Sequence, residues 1–190
     1  MRAEGSSFSS LIILYDNIRW EEKAIYEAAK RKGIPVNNLN CRAVSVILNE
    51  HGSHYVNKVV IQRCVSYFRS LHSTAAFEGL GSIVVNSLQT ATISGNKLFA
   101  HMRLLNAGVK TPKAISAFSE ESAIAAVEEV GYPAVIKPVV GSWGRLVALL
   151  RDRDAARAVI EDRMHMFPLY QVFYIEEFVK RPPRDIRAIV

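Results

Sequence analysis

Short apolar segments alternate with helix-like segments in the first half of the chain, and this alternation constrains the fold more than any other feature. Residues 11–16 form an apolar run typical of a strand buried on both faces. The alternation then continues, with helices that end at glycines, over residues 20–32, the extended segment after Pro35, and residues 59–61, 66–80 and 83–85. Strands that alternate with helices predict a parallel sheet covered on both faces. We therefore expect an α/β domain over residues 11–88.

The second half of the chain begins with a helix rather than a strand, which predicts a domain boundary near residues 87–94. We expect Ser94 to cap this helix and Gly108 to end it. Strands are then predicted at residues 113–118, 134–138, 146–150 and 171–179, and helices at residues 119–130 and 152–163. The last residues, 185–190, resemble the start of another strand. We therefore expect a second domain of mixed helices and strands over residues 89–190.

The charge of the chain is positive but evenly spread. Its 24 Lys and Arg against 18 Asp and Glu give a net charge of +6, with ten basic and seven acidic residues in positions 1–88 and fourteen and eleven in positions 89–190. A nucleic-acid-binding arm would be a lopsided basic block, so a nucleic-acid partner is disfavoured. Such a moderate excess suits anionic small ligands or an acidic protein partner.

The cellular setting follows from what the sequence lacks. There is no run of about eighteen apolar residues, so no membrane span is expected. Residues 1–10 are polar, have no signal-peptide core, and are interpreted as a flexible tail. Cys41 and Cys64 cannot form a disulfide framework and have no metal-ligand spacing. These features favour a reducing, cytoplasmic setting.

Lys137 and the loop that follows it are the first candidates for a binding site. A lysine inside an apolar strand is paired, extends its amine to solvent or binds an anion, and a strand-end lysine before Pro138 is the ordinary alternative. The loop Gly141-Ser142-Trp143-Gly144-Arg145 has two glycines, which let its N–H groups approach phosphate oxygens. An ordinary hairpin turn is the alternative. Neither the Walker motif nor the dinucleotide-binding fingerprint is present.

Two further segments carry charge near apolar residues. Glu176-Glu177-Phe178-Val179 places two acids between apolar groups, where they could lie beside a base or simply end a solvated strand. The basic loop of residues 180–187 contains two prolines, and its Arg184 and Arg187 offer forks suited to phosphate or carboxylate. A solvated basic loop is the alternative interpretation.

Taken together, these motifs resemble the ATP-grasp superfamily. The motifs, in chain order, are Gly95-Asn96-Lys97, Ile136-Lys137-Pro138, the glycine loop, Glu176-Glu177-Phe178-Val179 and Asp185-Ile186-Arg187. Within the superfamily the chain resembles the RimK-like branch and, there, the LysX ligases and their sister family ArgX. The stretches that resemble these ligases are residues 14–19, 63–66, 137–146 and 184–187, and the resemblance extends over residues 11–190.

The resemblance implies a fold and an activity. The fold would be an N-terminal pre-ATP-grasp domain with a parallel sheet, followed by the first α+β subdomain of the ATP-grasp domain and the start of the second. Ligases of this kind use ATP and Mg²⁺ to join α-aminoadipate or glutamate to the C-terminal carboxylate of the acidic carrier protein LysW, through an acyl phosphate. The complete enzyme is expected to be a homo-oligomer without nucleic-acid or membrane partners.

The resemblance also implies roles for individual residues. Lys97 and Lys137 would hold the ATP phosphates, and residues 141–147 would fold over the triphosphate. The hinge that binds adenine, largely through backbone groups, would be Glu176, Glu177, Phe178 and Val179. Asp185 matches a nucleotide-binding position on the ribose side, and Arg187 follows it. Asn96 departs from the commoner aspartate before the lysine and removes one carboxylate there.

The family's magnesium ligands lie beyond the position that matches Val190. No catalytic residue or metal ligand is therefore assigned, and we expect the 190-residue chain alone not to turn over ATP. The alternative is a catalytically inactive module that binds nucleotide or carrier. The choice between α-aminoadipate and glutamate also stays open.

Overall fold

A computed structural model describes residues 10–49, 54–182, 184 and 186, and the chain divides into two units, Met1–Gly95 and Asn96–Val190. Nearly all of the expected flexible tail lies outside the described residues, as does most of the strand expected at residues 185–190. None of the helices in the described ranges has the length and apolarity needed to cross a membrane.

The first unit contains a four-stranded sheet whose strands are all parallel, as the alternation predicted. The strands are β1 (Leu11–Tyr15), β2 (Val36–Asn40), β3 (Val59–Gln62) and β4 (Ile83–Val85). They lie in the order β2-β1-β3-β4. Ile12, Leu14, Val60 and Val84 pack with Phe77 in the core of this unit. Apolar side chains in the central strands therefore drive the formation of the sheet.

Three helices belong to the first unit: α1 (Trp20–Arg31), α2 (Tyr67–Gly79) and α3 (Leu88–Gly95). The first two were predicted. Helix α3 was not, because its Ser- and Thr-containing sequence shows little apolar periodicity.

Helix α3 also changes where the chain divides. The division follows Gly95, just beyond the region of residues 87–94 in which the change in pattern predicted it. The reason is the packing of α3 on α2: a Cβ on Gly95 would lie 2.1 Å from the Tyr67 ring, so only glycine permits this approach. Ser94 lies inside α3, and the predicted capping role for it is wrong.

The second unit contains an antiparallel sheet and three helices. Its strands are β5 (Ala114–Ala117), β6 (Ala134–Pro138), β7 (Ala148–Leu150) and β8 (Phe173–Glu177), in the order β5-β8-β6-β7. Its helices are α4 (Lys97–Asn106), α5 (Glu120–Val130) and α6 (Arg153–Met164), with a short 3₁₀ helix at Pro168–Gln171. The strands predicted over residues 146–150 and 171–179 are shorter in the structure, because a loop and the 3₁₀ helix occupy their first residues.

The two faces of the second sheet have different chemistry. Ile136 pairs with Ile175, and both are fully buried in a core formed with α5 and α6. Lys137 pairs with Tyr174, so both project from the opposite face, which also carries Glu176. The alternation of side chains along β6 and β8 therefore separates an apolar face from a polar face.

A buried carboxylate ties together the loops of the first unit. Glu22 of α1 is fully buried and accepts bonds from Arg19 Nη2 at 2.7 Å, from the Arg19 backbone N–H at 2.8 Å and from Arg63 Nε at 2.9 Å. The bonds from Arg19, joined by the one from Arg63, lower the pKa of Glu22 to about 2. The negative charge of Glu22 therefore stabilises the folded state.

We predict that acid weakens the fold through Glu22. Since its folded-state pKa of about 2 lies below the ordinary 4.5, its contribution is complete above pH 4.5 and is lost as the pH falls towards 2. The thermal unfolding midpoint should fall steeply across this window in the parent and less steeply in Glu22→Gln, which has no proton to bind there. Glu27→Gln, at an exposed position of the same helix, should follow the parent. Parallel curves for parent and Glu22→Gln would contradict the prediction.

Candidate functional site

Lys97, the first residue of helix α4, lies at the start of the glycine loop, beside the polar face of the second sheet. The Lys97 backbone N–H donates to the Val139 carbonyl at 2.7 Å, and its Nζ donates to the Gly141 carbonyl at 2.8 Å. Helix α4 begins here because the side chain of Asn96 accepts bonds from the N–H groups of Leu98 and Phe99 at 3.0 and 3.3 Å. The residue that departs from the family motif therefore still caps the helix that presents Lys97.

Lys137 forms an ion pair with Glu176. Its Nζ contacts Glu176 Oε1, and the two side chains are 28% and 13% exposed. Of the three explanations for a lysine in an apolar strand, the structure shows pairing. The carboxylate of Glu176, for which the resemblance implied a role in an adenine-binding hinge, balances the charge of this lysine.

The electrostatics of the site favour an anion. Burial lowers the pKa of Lys97, and the nearby positive charge of Lys137 lowers it further, while Glu176 acts in the opposite direction. The charge of Glu176 thus acts on two ammonium groups in a partly buried place, although only Lys137 forms an ion pair with it. A bound anion would relieve the repulsion between the lysines and favour the charged form of Lys97.

The glycine loop adopts a backbone that ordinary residues rarely adopt. Gly144 has φ of 67°, and Trp143 and Leu146, which are not glycines, have φ of 62° and 57°. Residues held in this left-handed region cluster at ligand-binding turns in proteins. The Trp143 side chain is 90% exposed, so it does not anchor the loop.

Three N–H groups of the loop remain available to a ligand. Two others make backbone bonds, from Arg145 to Ser142 and from Val147 to Gly144, both at 3.3 Å. In the described ranges, the N–H groups of Ser142, Trp143 and Gly144 have no hydrogen-bond partner. A cleft of about 590 Å³ lies against the loop and is lined by Pro138, Val140, Gly141, Ser142, Arg145, Leu146 and Tyr170. Free N–H groups along a cleft are suited to phosphate oxygens.

A buried arginine anchors the far end of this loop. Arg163 of α6 is 4% exposed, and its Nη2 donates to the carbonyl of Leu146. Burial lowers the pKa of Arg163. Sequence reasoning missed this residue, because Arg163 is one of several charged residues in α6 and nothing local indicates that it points inward.

A second cleft lies at the end of β8. It has a volume of about 370 Å³ and is lined by Pro112, Val135, Lys137, Glu176, Glu177, Phe178, Val179 and Arg181. The structure therefore brings the four residues of the expected hinge together with Lys137. The Glu177 N–H donates to the Lys113 carbonyl at 2.9 Å, which fixes the backbone at the start of the hinge. The apolar side chains among these residues, Pro112, Val135, Phe178 and Val179, suit a flat aromatic base.

A contact between His101 and Tyr174 helps to hold helix α4 on the second sheet. The Tyr174 hydroxyl lies 2.8 Å from His101 Nδ1, and both side chains are buried. His101 lies one turn after Lys97 on α4, and Tyr174 lies beside Lys137 across the strand pair. This contact fixes α4 against β8 and so holds the two lysines near each other. In the sequence, His101 is recognisable only as a histidine one helical turn after Lys97. Its contact with Tyr174 could be predicted only once the register of β6 and β8 is known.

Two further residues were expected to belong to the site. Asp185 and Arg187 lie outside the described residues. In the described part of the chain, no three His, Cys, Asp or Glu side chains are grouped as metal ligands.

Comparisons with known proteins match each half of the chain to a domain family. The LysX preATP-grasp domain matches residues 11–93, and the RimK-like ATP-grasp domain matches residues 94–190. These two domains meet within helix α3.

Individual proteins show the same similarity. In Sulfolobus acidocaldarius, the α-aminoadipate–LysW ligase LysX is 37% identical over 91% of this chain, and the glutamate–LysW ligase ArgX is 33% identical over 94%. The crystal structure of a RimK domain ATP-grasp protein from Sphaerobacter thermophilus has a TM-score of 0.73 and 25% identity, and the match covers 90% of this chain. The chain spans 64%, 63% and 64% of these proteins, respectively.

We predict that Lys137→Met weakens ATP binding about tenfold or more, because a charge-assisted bond to phosphate is lost. Calorimetry with ATP measures the effect. Lys137→Met also strands Glu176, so the double variant Lys137→Met/Glu176→Gln removes both charges and should recover stability without recovering affinity. Lys110→Met, at an exposed position after α4, is the matched control. Equal affinity in parent and double variant would show that Lys137 is structural.

Proposed function

Because this chain belongs to the RimK-like ATP-grasp family and carries a preATP-grasp domain of the LysX type, we propose that it acts in an ATP-dependent carboxylate–amine ligase. The proposed reaction joins α-aminoadipate or glutamate to the C-terminal carboxylate of LysW. The observation that carries the proposal is the convergence of Lys97, Lys137 and the free loop N–H groups on one polar face of the second sheet.

The chain's residues would bind and orient ATP in this proposal. The apolar cleft at Phe178 and Val179 would take the adenine ring. Lys97 and Lys137 would lie beside the phosphates, and the N–H groups of the glycine loop would cover them. Lys137 need not leave Glu176, because an ammonium group has three donors and the ion pair uses one.

The chemistry that ATP supplies is activation of a carboxylate. Its γ-phosphoryl group would pass to the carboxylate of the carrier to give an acyl phosphate and ADP, and the amino group of the amino acid would then displace phosphate to form the amide. Such transfers depend on positioning and charge neutralisation, so no side chain of this unit needs to act as a nucleophile.

The residues described here do not form a magnesium site. Because no grouping of three metal-ligating side chains occurs in the described ranges, we assign Mg²⁺ to no residue and derive no step through it. The second candidate is a module that binds nucleotide or carrier without turnover. In either case we propose LysW as the partner, a homo-oligomeric complete enzyme and a cytoplasmic setting.

We predict an ATP-dependent adduct on LysW from this chain extended by the rest of an ATP-grasp domain, and none from the 190-residue chain alone. Each protein is incubated with ATP, Mg²⁺, LysW and either amino acid, and mass spectrometry measures the gain of one amino-acid residue on the carrier. Lys97→Met should slow adduct formation about tenfold or more, because it removes a phosphate contact, while Lys110→Met should not.

The outcomes separate the two candidates. An adduct formed with one amino acid and not with the other would identify the amino-acid substrate. Saturable ATP binding without any adduct from the extended chain would support the non-catalytic module, whereas an adduct formed by the 190-residue chain alone would contradict its expected inactivity. Absence of ATP binding would contradict the ligase and the nucleotide-binding module, and would leave only a module that binds the carrier.

A further inference from the structure

Arg163 of helix α6 is a charged side chain in an apolar setting. It is 4% exposed and lies one turn after Ile160, which is fully buried in the core of the second unit. Within the described residues it forms no ion pair. Burial lowers the pKa of Arg163, while the charge of the neighbouring Asp162 acts in the opposite direction. A buried guanidinium that no carboxylate balances is costly, because its desolvation is not repaid by an ion pair.

The two terminal nitrogens of this guanidinium are used unequally. Nη2 donates to the carbonyl of Leu146, at the far end of the glycine loop. Nη1 is also buried, and it has no hydrogen-bond partner in the part of the chain that the structure describes. A charged donor that is desolvated and unpaired gains free energy from any acceptor that comes within reach. Arg163 therefore holds one strong donor open beside the loop.

The residue that Arg163 contacts is itself held in a conformation that leucine rarely adopts. Leu146 has φ of 57°, in the left-handed region, which costs free energy for a residue with a Cβ atom. The bond from Arg163 to its carbonyl helps to offset that cost. This bond therefore fixes the point from which the glycine loop leads into β7.

The loop contains acceptors that suit the open nitrogen. Among the described residues, the carbonyls of Trp143 and Arg145 accept no hydrogen bond. The C=O of Trp143 and the N–H of Gly144 belong to one trans peptide and point in opposite directions. If the Gly144 N–H turns towards a phosphate oxygen in the cleft, the Trp143 carbonyl turns away from the cleft and needs a donor there. The buried Arg163 contacts the loop from that side.

We propose that Arg163 is a positioning residue that holds the glycine loop closed over bound phosphate. Nη2 keeps its bond to Leu146, and Nη1 donates to a second carbonyl of the loop, that of Trp143 or Arg145, when the loop N–H groups turn to the ligand. The inference rests on the proposed function, because the ligand of the cleft is taken to be ATP. Closure is favoured because the closed loop pairs a donor that the free loop leaves unpaired.

Trp143 allows the closure to be measured. The chain has two tryptophans, so Trp20→Phe leaves Trp143 as the only one, within the glycine loop and 90% exposed. Acrylamide quenching of its fluorescence measures its access to solvent. In the 190-residue chain with Trp20→Phe, which serves as the parent, we expect ATP to reduce this quenching saturably, because a loop that closes over a ligand withdraws from solvent.

Substitution of Arg163 tests the second nitrogen. Arg163→Lys keeps the positive charge and a donor for Leu146 but loses the fork of two terminal nitrogens. The ATP concentration that gives half of the protection should therefore rise about tenfold or more. Arg157→Lys, at an exposed position of the same helix, should match the parent. Equal protection curves for the parent and Arg163→Lys would overturn the proposal.

A second variant separates positioning of the loop from support of the fold. Arg163→Met removes a buried charge that has no carboxylate partner, so its melting temperature should stay close to that of the parent. ATP should nevertheless no longer protect Trp143 in this variant. A lower melting temperature together with unchanged protection would show that Arg163 only supports the fold, and would overturn the proposal.

Calorimetry on the same samples distinguishes this inference from the proposed function. ATP binding that depends on Lys137 while Trp143 stays fully accessible to acrylamide in the parent would refute the inference and leave the proposed ATP site intact. Absence of ATP binding by the parent would overturn the inference together with the proposed ATP site.

Discussion

The register between β6 and β8 is the constraint on which the candidate ATP site depends. Ile136 pairs with Ile175 on the buried face, so Lys137 and Tyr174 must face the other way. A slip of one residue would carry Lys137 into the apolar core beneath α5 and α6, where a charge is very costly. Burial of the isoleucines therefore stabilises the fold and at the same time places the lysine on the polar face beside Glu176.

The polar face is organised before any ligand binds. Asn96 caps α4, the Lys97 backbone bonds to Val139, and the contact between His101 and Tyr174 holds α4 on the sheet. These contacts keep two ammonium groups close although they repel. In the proposed complex, triphosphate would relieve that repulsion, and little side-chain entropy would remain to be lost on binding. The relief of this repulsion on binding would therefore add to the affinity of the site for an anion.

The sequence predicted those parts of the fold and site that local patterns encode. Apolar runs and glycine stops located the parallel strands and helices α1 and α2, and family motifs indicated Lys97 and Lys137. Contacts made through space were missed: the bond from Arg163 to Leu146, and Glu176 as the partner of Lys137. Helix α3 was missed for a related reason, because its packing depends on the contact of Gly95 with a tyrosine ring and not on apolar periodicity.

Both units use a carboxylate to hold cations, but the two arrangements serve different ends. Glu176 engages one donor of Lys137, and the compact ammonium can turn its other two donors towards phosphate oxygens wherever they lie. Glu22 and Asp16 engage the Nε of Arg63 and Arg69, and Asp16 also accepts bonds from the backbone of Val65 and Ser66, so these acids hold the loops after β1 and β3 in place. An adaptable point charge suits the triphosphate proposed for the second unit, whose γ-group must be transferred, whereas the arginine contacts stabilise the fold of the first unit.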